Sequence, residues 1–237
     1  MQEDSKLHEG EIRLDERNTF LKWLDNYWYH YKWHTLIAGF FVLLFLFTLG
    51  QCAVDTNHDI VVAYCGSTGF LNEQTEGVRN ALEDALPEDF DGNGEKYVEF
   101  VRYQYYSQQE IEAEVAEHDG EWSINIAYVN QQLKQFKDFV QLSIASNDCS
   151  VYLLSPAVYD LFTTNPFRRL SDVFDETPAA AYDEYAVRLG DTAFYANDSK
   201  LQEILPPDTL VCLLSSNRPE QDSYDHAIAM FSAIVKE

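Results

Sequence analysis

From Leu36 to Leu49 the chain is uncharged and mostly apolar, and no other stretch of its 237 residues sustains such a run. Counting Trp33 and Thr35 before it and Cys52, Ala53 and Val54 after it, the run reaches roughly 20 residues, enough for a helix across a ~30 Å hydrocarbon core. The pattern predicts a transmembrane helix over residues 33–54, with Tyr27, Trp28, Tyr29, Tyr31 and Trp33 as an aromatic belt at one interface. Arg17, Lys22 and Lys32 precede the helix, whereas the first basic residue after it is Arg79. Basic residues resist translocation, so residues 1–32 are expected to be a cytoplasmic tail and residues 55–237 an external domain of a single-pass cell-membrane protein. Two other readings compete. A cleaved signal peptide has an apolar core of similar length, but about 35 residues lie ahead of this one. Leu49-Gly50-Gln51-Cys52 is similar to the box before a lipid-modified cysteine, with Gln51 where a small residue is wanted. In the tail, Ile12, Leu14, Phe20, Leu21 and Leu24 form a weak amphipathic stretch that predicts, at most, a helix lying at the interface.

Beyond residue 59 apolar runs alternate with helical periodicities. Ile60 to Cys65 is a short β-branched run ended by Gly66, the pattern of a buried strand. Val78, Ala81, Leu82 and Ala85 mark one stripe of a helix from about Asn72 to Leu86, closed by Pro87. A turn-rich loop spans residues 89–96, a strand follows over 97–105, and Ser107 with Glu110 forms a capping box for a helix to Glu117. Val129, Leu133, Phe136 and Val140 predict the next helix, 151–154 a third strand, and Pro156 a helix carrying Val158, Leu161 and Phe162. Residues 177–207 are irregular, with a possible strand at 186–189. A further strand at 210–214 precedes a closing helix, 222–236, with Ala227, Met230, Phe231 and Ile234 inward. The alternation predicts an α/β domain: a mostly parallel or mixed sheet of four to five strands flanked by helices.

Charge narrows the partners. The formal net charge is −24, and the acidic excess lies mostly beyond residue 54. Phosphate recognition needs a basic footprint, so nucleic acid is excluded as a partner; cations and basic partners remain. The four cysteines, Cys52, Cys65, Cys149 and Cys212, are widely spaced and form no metal motif. Cys65 and Cys212 sit in strand patterns, where a thiol packs as a small hydrophobe, and a Cys65–Cys149 pairing is left open.

Two local patterns carry chemistry. Asp89-Phe-Asp91-Gly-Asn93-Gly94-Glu95 matches the opening of a calcium loop, with side-chain oxygens at positions one, three and five and glycine at six. Position twelve is Phe100 instead of a bidentate Glu, so a calcium site on Asp89, Asp91, Asn93 and Glu95 must borrow Glu99 or a distant carboxylate. The alternative is a plain turn held by side-chain to backbone hydrogen bonds. The second pattern, Gly66-Ser67-Thr68-Gly69, follows the first strand. Ligands of open α/β sheets sit outside the carboxyl ends of strands, so Ser67 and Thr68, with Ser155, Ser215 and Asn217 after later strands, are candidates for one ligand-binding rim. Each is also read as an ordinary turn or helix cap. The histidines are scattered, and no nucleophile elbow is present.

The arrangement Tyr29-His-Tyr31-Lys-Trp33-His before the apolar run, then strand, helix, Asp-x-Asp-x-Asn-Gly loop and Val151-Tyr-Leu-Leu-Ser-Pro156, resembles uncharacterised single-pass membrane proteins of Gram-positive bacteria. Ser150 to Phe162, followed by Phe167-Arg-Arg-Leu-Ser-Asp-Val173, resembles a segment of extracellular solute-binding proteins. That resemblance implies a reduced solute-binding-like lobe. The expected function is a membrane-anchored extracytoplasmic binding or interaction module for a small solute, with no enzymatic activity. An accessory or regulatory subunit of a membrane complex such as a transporter is the alternative, and a hydrolase using Ser67 or a carboxylate is the third.

Overall fold

A computed structural model describes residues 4–52, 58–117, 125–146, 151–216 and 222–236, and divides the chain into two compact units, Met1–Thr56 and Asn57–Glu237. The first unit is one helix, α1 (Asp4–Cys52), of 49 residues. At 1.5 Å per residue it is about 73 Å long. No break separates the expected tail from the apolar run. Side chains of α1 are described for residues 21–46. Trp23, Tyr27 and Tyr31 stack in succession at 5.7 and 5.3 Å, as the four-residue spacing along one face requires. Among the described residues, no helix is long and apolar enough to cross a membrane. The described side chains end at Leu46, and the rest of the expected span, 47–54, lies outside them.

The second unit is an α/β domain on a five-stranded mixed sheet in the order β2-β1-β3-β5-β4. β1 (Ile60–Gly66) pairs in parallel with both β2 (Val98–Gln104) and β3 (Val151–Leu154). β5 (Leu210–Leu213) runs antiparallel to β3 and to β4 (Ala186–Arg188). Side chains alternate across a strand, so β1, β3 and β5, buried on both faces, feed two separate cores. Ile60, Val62, Tyr64, Val151, Leu153, Val211 and Leu213 meet the first, with Val78 and Leu82 of α2 (Asn72–Ala85). Ala63, Cys65, Tyr152, Leu154 and Cys212 meet the second.

The crossover rule explains which helix covers which face. The path from β1 out to β2 and the path from β2 back past β1 to β3 run in opposite directions, so a single handedness sends their helices to opposite faces. After α3 (Gln108–Glu117), α4 (Ile126–Ser146) accordingly places Phe136 and Val140 in the second core, opposite α2. α8 (Asp222–Val235) packs Ala227, Met230, Phe231 and Ile234 into the first, as its periodicity predicts. The helix expected from Pro156 is shorter than its pattern. α5 (Pro156–Tyr159) has four residues, and Leu161 and Phe162 continue only as turns whose amides reach Val158 and Tyr159. Residues 177–207 carry more order than expected. Besides β4 they hold α6 (Ala193–Ala196) and α7 (Ser199–Ile204), capped by the side chains of Thr192 and Asp198.

Candidate functional site

At the carboxyl edge of β1 and β3 the ladder brings Gly66, Ser67, Thr68 and Ser155 together. The Ser155 amide donates to the Cys65 carbonyl at 2.9 Å, and the Tyr105 amide to Gly66 at 2.8 Å. The Gly-Ser-Thr-Gly turn is folded over this edge by its own neighbours. Tyr64 is buried, its hydroxyl accepts the Thr68 amide at 3.2 Å, and its ring meets Phe70 edge-on at 4.9 Å. Burial pushes the Tyr64 phenol up to about 12, because the charged form would lose its water. Gln104 closes the other side, its Nε2 donating to Tyr106 at 3.0 Å and to the Ser67 carbonyl at 3.4 Å. A side chain at Gly66 would place Cβ 2.5 Å from the Tyr64 hydroxyl, so the close approach demands glycine.

These contacts engage part of the group expected to hold an anion. The Thr68 amide is taken, and α2 begins only at Asn72, after a cap in which the Leu71 amide donates to Gln74 Oε1. Ser155 Oγ accepts the Val158 amide at 3.4 Å as the cap of α5. Among the described residues, Ser67 Oγ has no hydrogen bond to a histidine or a carboxylate. The five-residue rim itself does not form. β5 is antiparallel, with Leu213 opposite Val151, so Ser215 lies beyond the amino end of β3, its amide on the Pro166 carbonyl. The sequence pattern reports a strand but not its direction, so sequence alone places Ser215 with Ser67 and Ser155. Asn217 lies outside the described residues.

The loop at residues 89–95 is wound around its own carboxylates. Asp89 accepts the amides of Gly92 at 2.8 Å and Gly94 at 2.6 Å; Asp91 accepts that of Asn93 at 2.9 Å; Asn93 Oδ1 accepts that of Glu95 at 2.8 Å. Gly94 adopts φ +95°, a left-handed conformation that glycine takes without strain. The Gly94 amide above all, and then that of Gly92, holds the half-buried Asp89 carboxyl below the usual range. One distant carboxylate does stand beside the loop: Asp59, from the turn before β1. Asp59 is buried and accepts three amides, Phe90 at 2.6 Å, Asp91 at 3.1 Å and Tyr97 at 2.8 Å.

Oxygens of Asp59, Asp89 and Asp91 lie within 4.8 Å of one another. Hard cations take several such oxygens, so the three carboxylates form a candidate metal site, although Asp59 Oδ1 already accepts two amides and each of the other oxygens one hydrogen bond. Glu95 is exposed and outside that group, and Phe100 packs against the first core. Sequence reasoning did not name Asp59, because only the parallel pairing of β1 with β2 brings it beside Tyr97. The thiols of Cys65 and Cys212 are free and buried, and burial raises both well above the ordinary range, leaving them as core groups. Cys149 lies outside the described residues. No family model, no curated protein and no solved structure matches this chain.

Proposed function

We propose that the chain is a single-pass membrane protein, amino terminus cytoplasmic, whose folded domain serves outside the cell membrane as a non-catalytic binding or interaction module. One observation carries the reading: Phe40, Phe41, Leu43 and Phe45 of α1 are each 60–69% exposed, although they belong to the most apolar stretch of the chain. Apolar side chains on every side of a helix suit lipid better than water, and the apolar sequence continues through Phe47 and Leu49. The basic residues before the helix support the orientation. Fractionation of cells expressing the full chain tests it. The chain should stay with membranes through alkaline carbonate, and external protease should remove the domain while sparing an amino-terminal tag. A soluble chain, or a tag cut from outside, would overturn the proposal.

As part of the same proposal, Asp59, Asp89 and Asp91 hold a structural calcium ion of low affinity, about 10⁻⁴ to 10⁻³ M, as external calcium modules do. An ion there would neutralise three converging carboxylates and stiffen the turn into β2. Millimolar calcium should raise the melting temperature of the full chain, and Asp91→Ala should abolish the rise. An equal rise in both proteins would assign it to nonspecific screening of an acidic surface.

A further inference from the structure

Between the segment after Leu170 and the last turn of α8 lies a cleft of ≈ 520 Å³, within the ~300–1,000 Å³ usual for small-molecule sites. Its apolar lining is Phe174, which leans on Phe231 at a centroid distance of 5.8 Å, and Val235; its polar lining is Glu176, Thr177, Ser232 and Lys236. Among the described residues, none of these four polar side chains makes a hydrogen bond or an ion pair. One ammonium, one carboxylate and two hydroxyls thus border one hydrophobic surface.

The rest of the protein sharpens the ligand class. With a net charge of −24, the surface repels a simple anion and attracts a simple cation almost anywhere. Neither would single out this cleft. A zwitterion has no net charge to be steered, and it carries a partner for each of Lys236 and Glu176. We propose that the cleft binds a free apolar α-amino acid, its carboxylate on Lys236 with Thr177 or Ser232, its ammonium on Glu176, and its side chain against Phe174 and Val235. The inference deepens the binding-module reading and rests on it for its biological sense, but the cleft can be tested without reference to the membrane.

The test is equilibrium dialysis of labelled L-leucine and L-phenylalanine against the full chain in detergent micelles. Saturable binding of one molecule per chain is expected. N-acetyl-L-leucine, which lacks the ammonium, and L-leucinamide, which lacks the carboxylate, should each compete at least tenfold more weakly than L-leucine. Glu176→Gln and Lys236→Met should each weaken leucine binding at least tenfold. Both side chains are exposed, so unchanged melting temperatures of the two unliganded variants would show that the fold is intact. No saturable binding of either amino acid would overturn the proposal, as would binding that both variants retain. Either failure leaves the fractionation result standing, because anchorage is read from a different measurement.

Discussion

Asp59→Ala would strand the amides of Phe90, Asp91 and Tyr97 in one step. Each buried donor left unpaired costs about 1–3 kcal/mol, less where water can reach it. A loss of about 3 kcal/mol in urea unfolding is expected, with Asp59→Asn losing less because one oxygen remains. A loss below 0.5 kcal/mol would mean that the three bonds contribute little. Tyr64 makes a prediction at the other end of the pH scale. Its folded-state value lies near 12, above the usual 10.0. A raised value means that the folded state keeps its proton while the unfolded state releases it. The stabilisation is complete below pH 10 and declines between pH 10 and 12, by about 1.4 kcal/mol per pH unit. Denaturant midpoints across that window should fall in the parent more steeply than in Tyr64→Phe; equal slopes would refute the assignment.

Single residues of α4 separate packing from exposure. Phe136 is fully buried against Tyr103, Tyr152 and Phe162, whereas Leu142, six positions on, is 67% exposed. Phe136→Ala should therefore cost about 3–5 kcal/mol and Leu142→Ala less than about 0.5 kcal/mol. Comparable losses would mean that Leu142 is covered in the native protein. Helices of this kind were legible because a period near 3.6 records which face is buried, and α4 and α8 pack with the stripes their sequences display. Strands were legible as apolar runs, but their direction was not, since Leu210 to Leu214 reads the same whether it runs with β3 or against it. That ambiguity undid the expected rim. The calcium-like loop was legible as a motif because its side-chain oxygens are local in sequence, whereas Asp59 joins it only through tertiary pairing.

At the scale of the chain, the helical and the α/β units are separate compact bodies, each described by its own contacts. The two buried cores lie entirely within the second unit. Residues 57–237 expressed alone should therefore unfold in a single cooperative transition with native-like circular dichroism. Failure to fold without residues 1–56 would show that the helix contributes to the core. The strand order also has a temporal side. β3 and β4 are joined only through β5, which lies between them and is made after both, and α8 follows later still. Until β5 and α8 are made, β3 has an open edge and the first core lacks Met230, Phe231 and Ile234. An exposed strand edge can pair with another chain, so misassembly threatens this domain most in the interval before β5 is made.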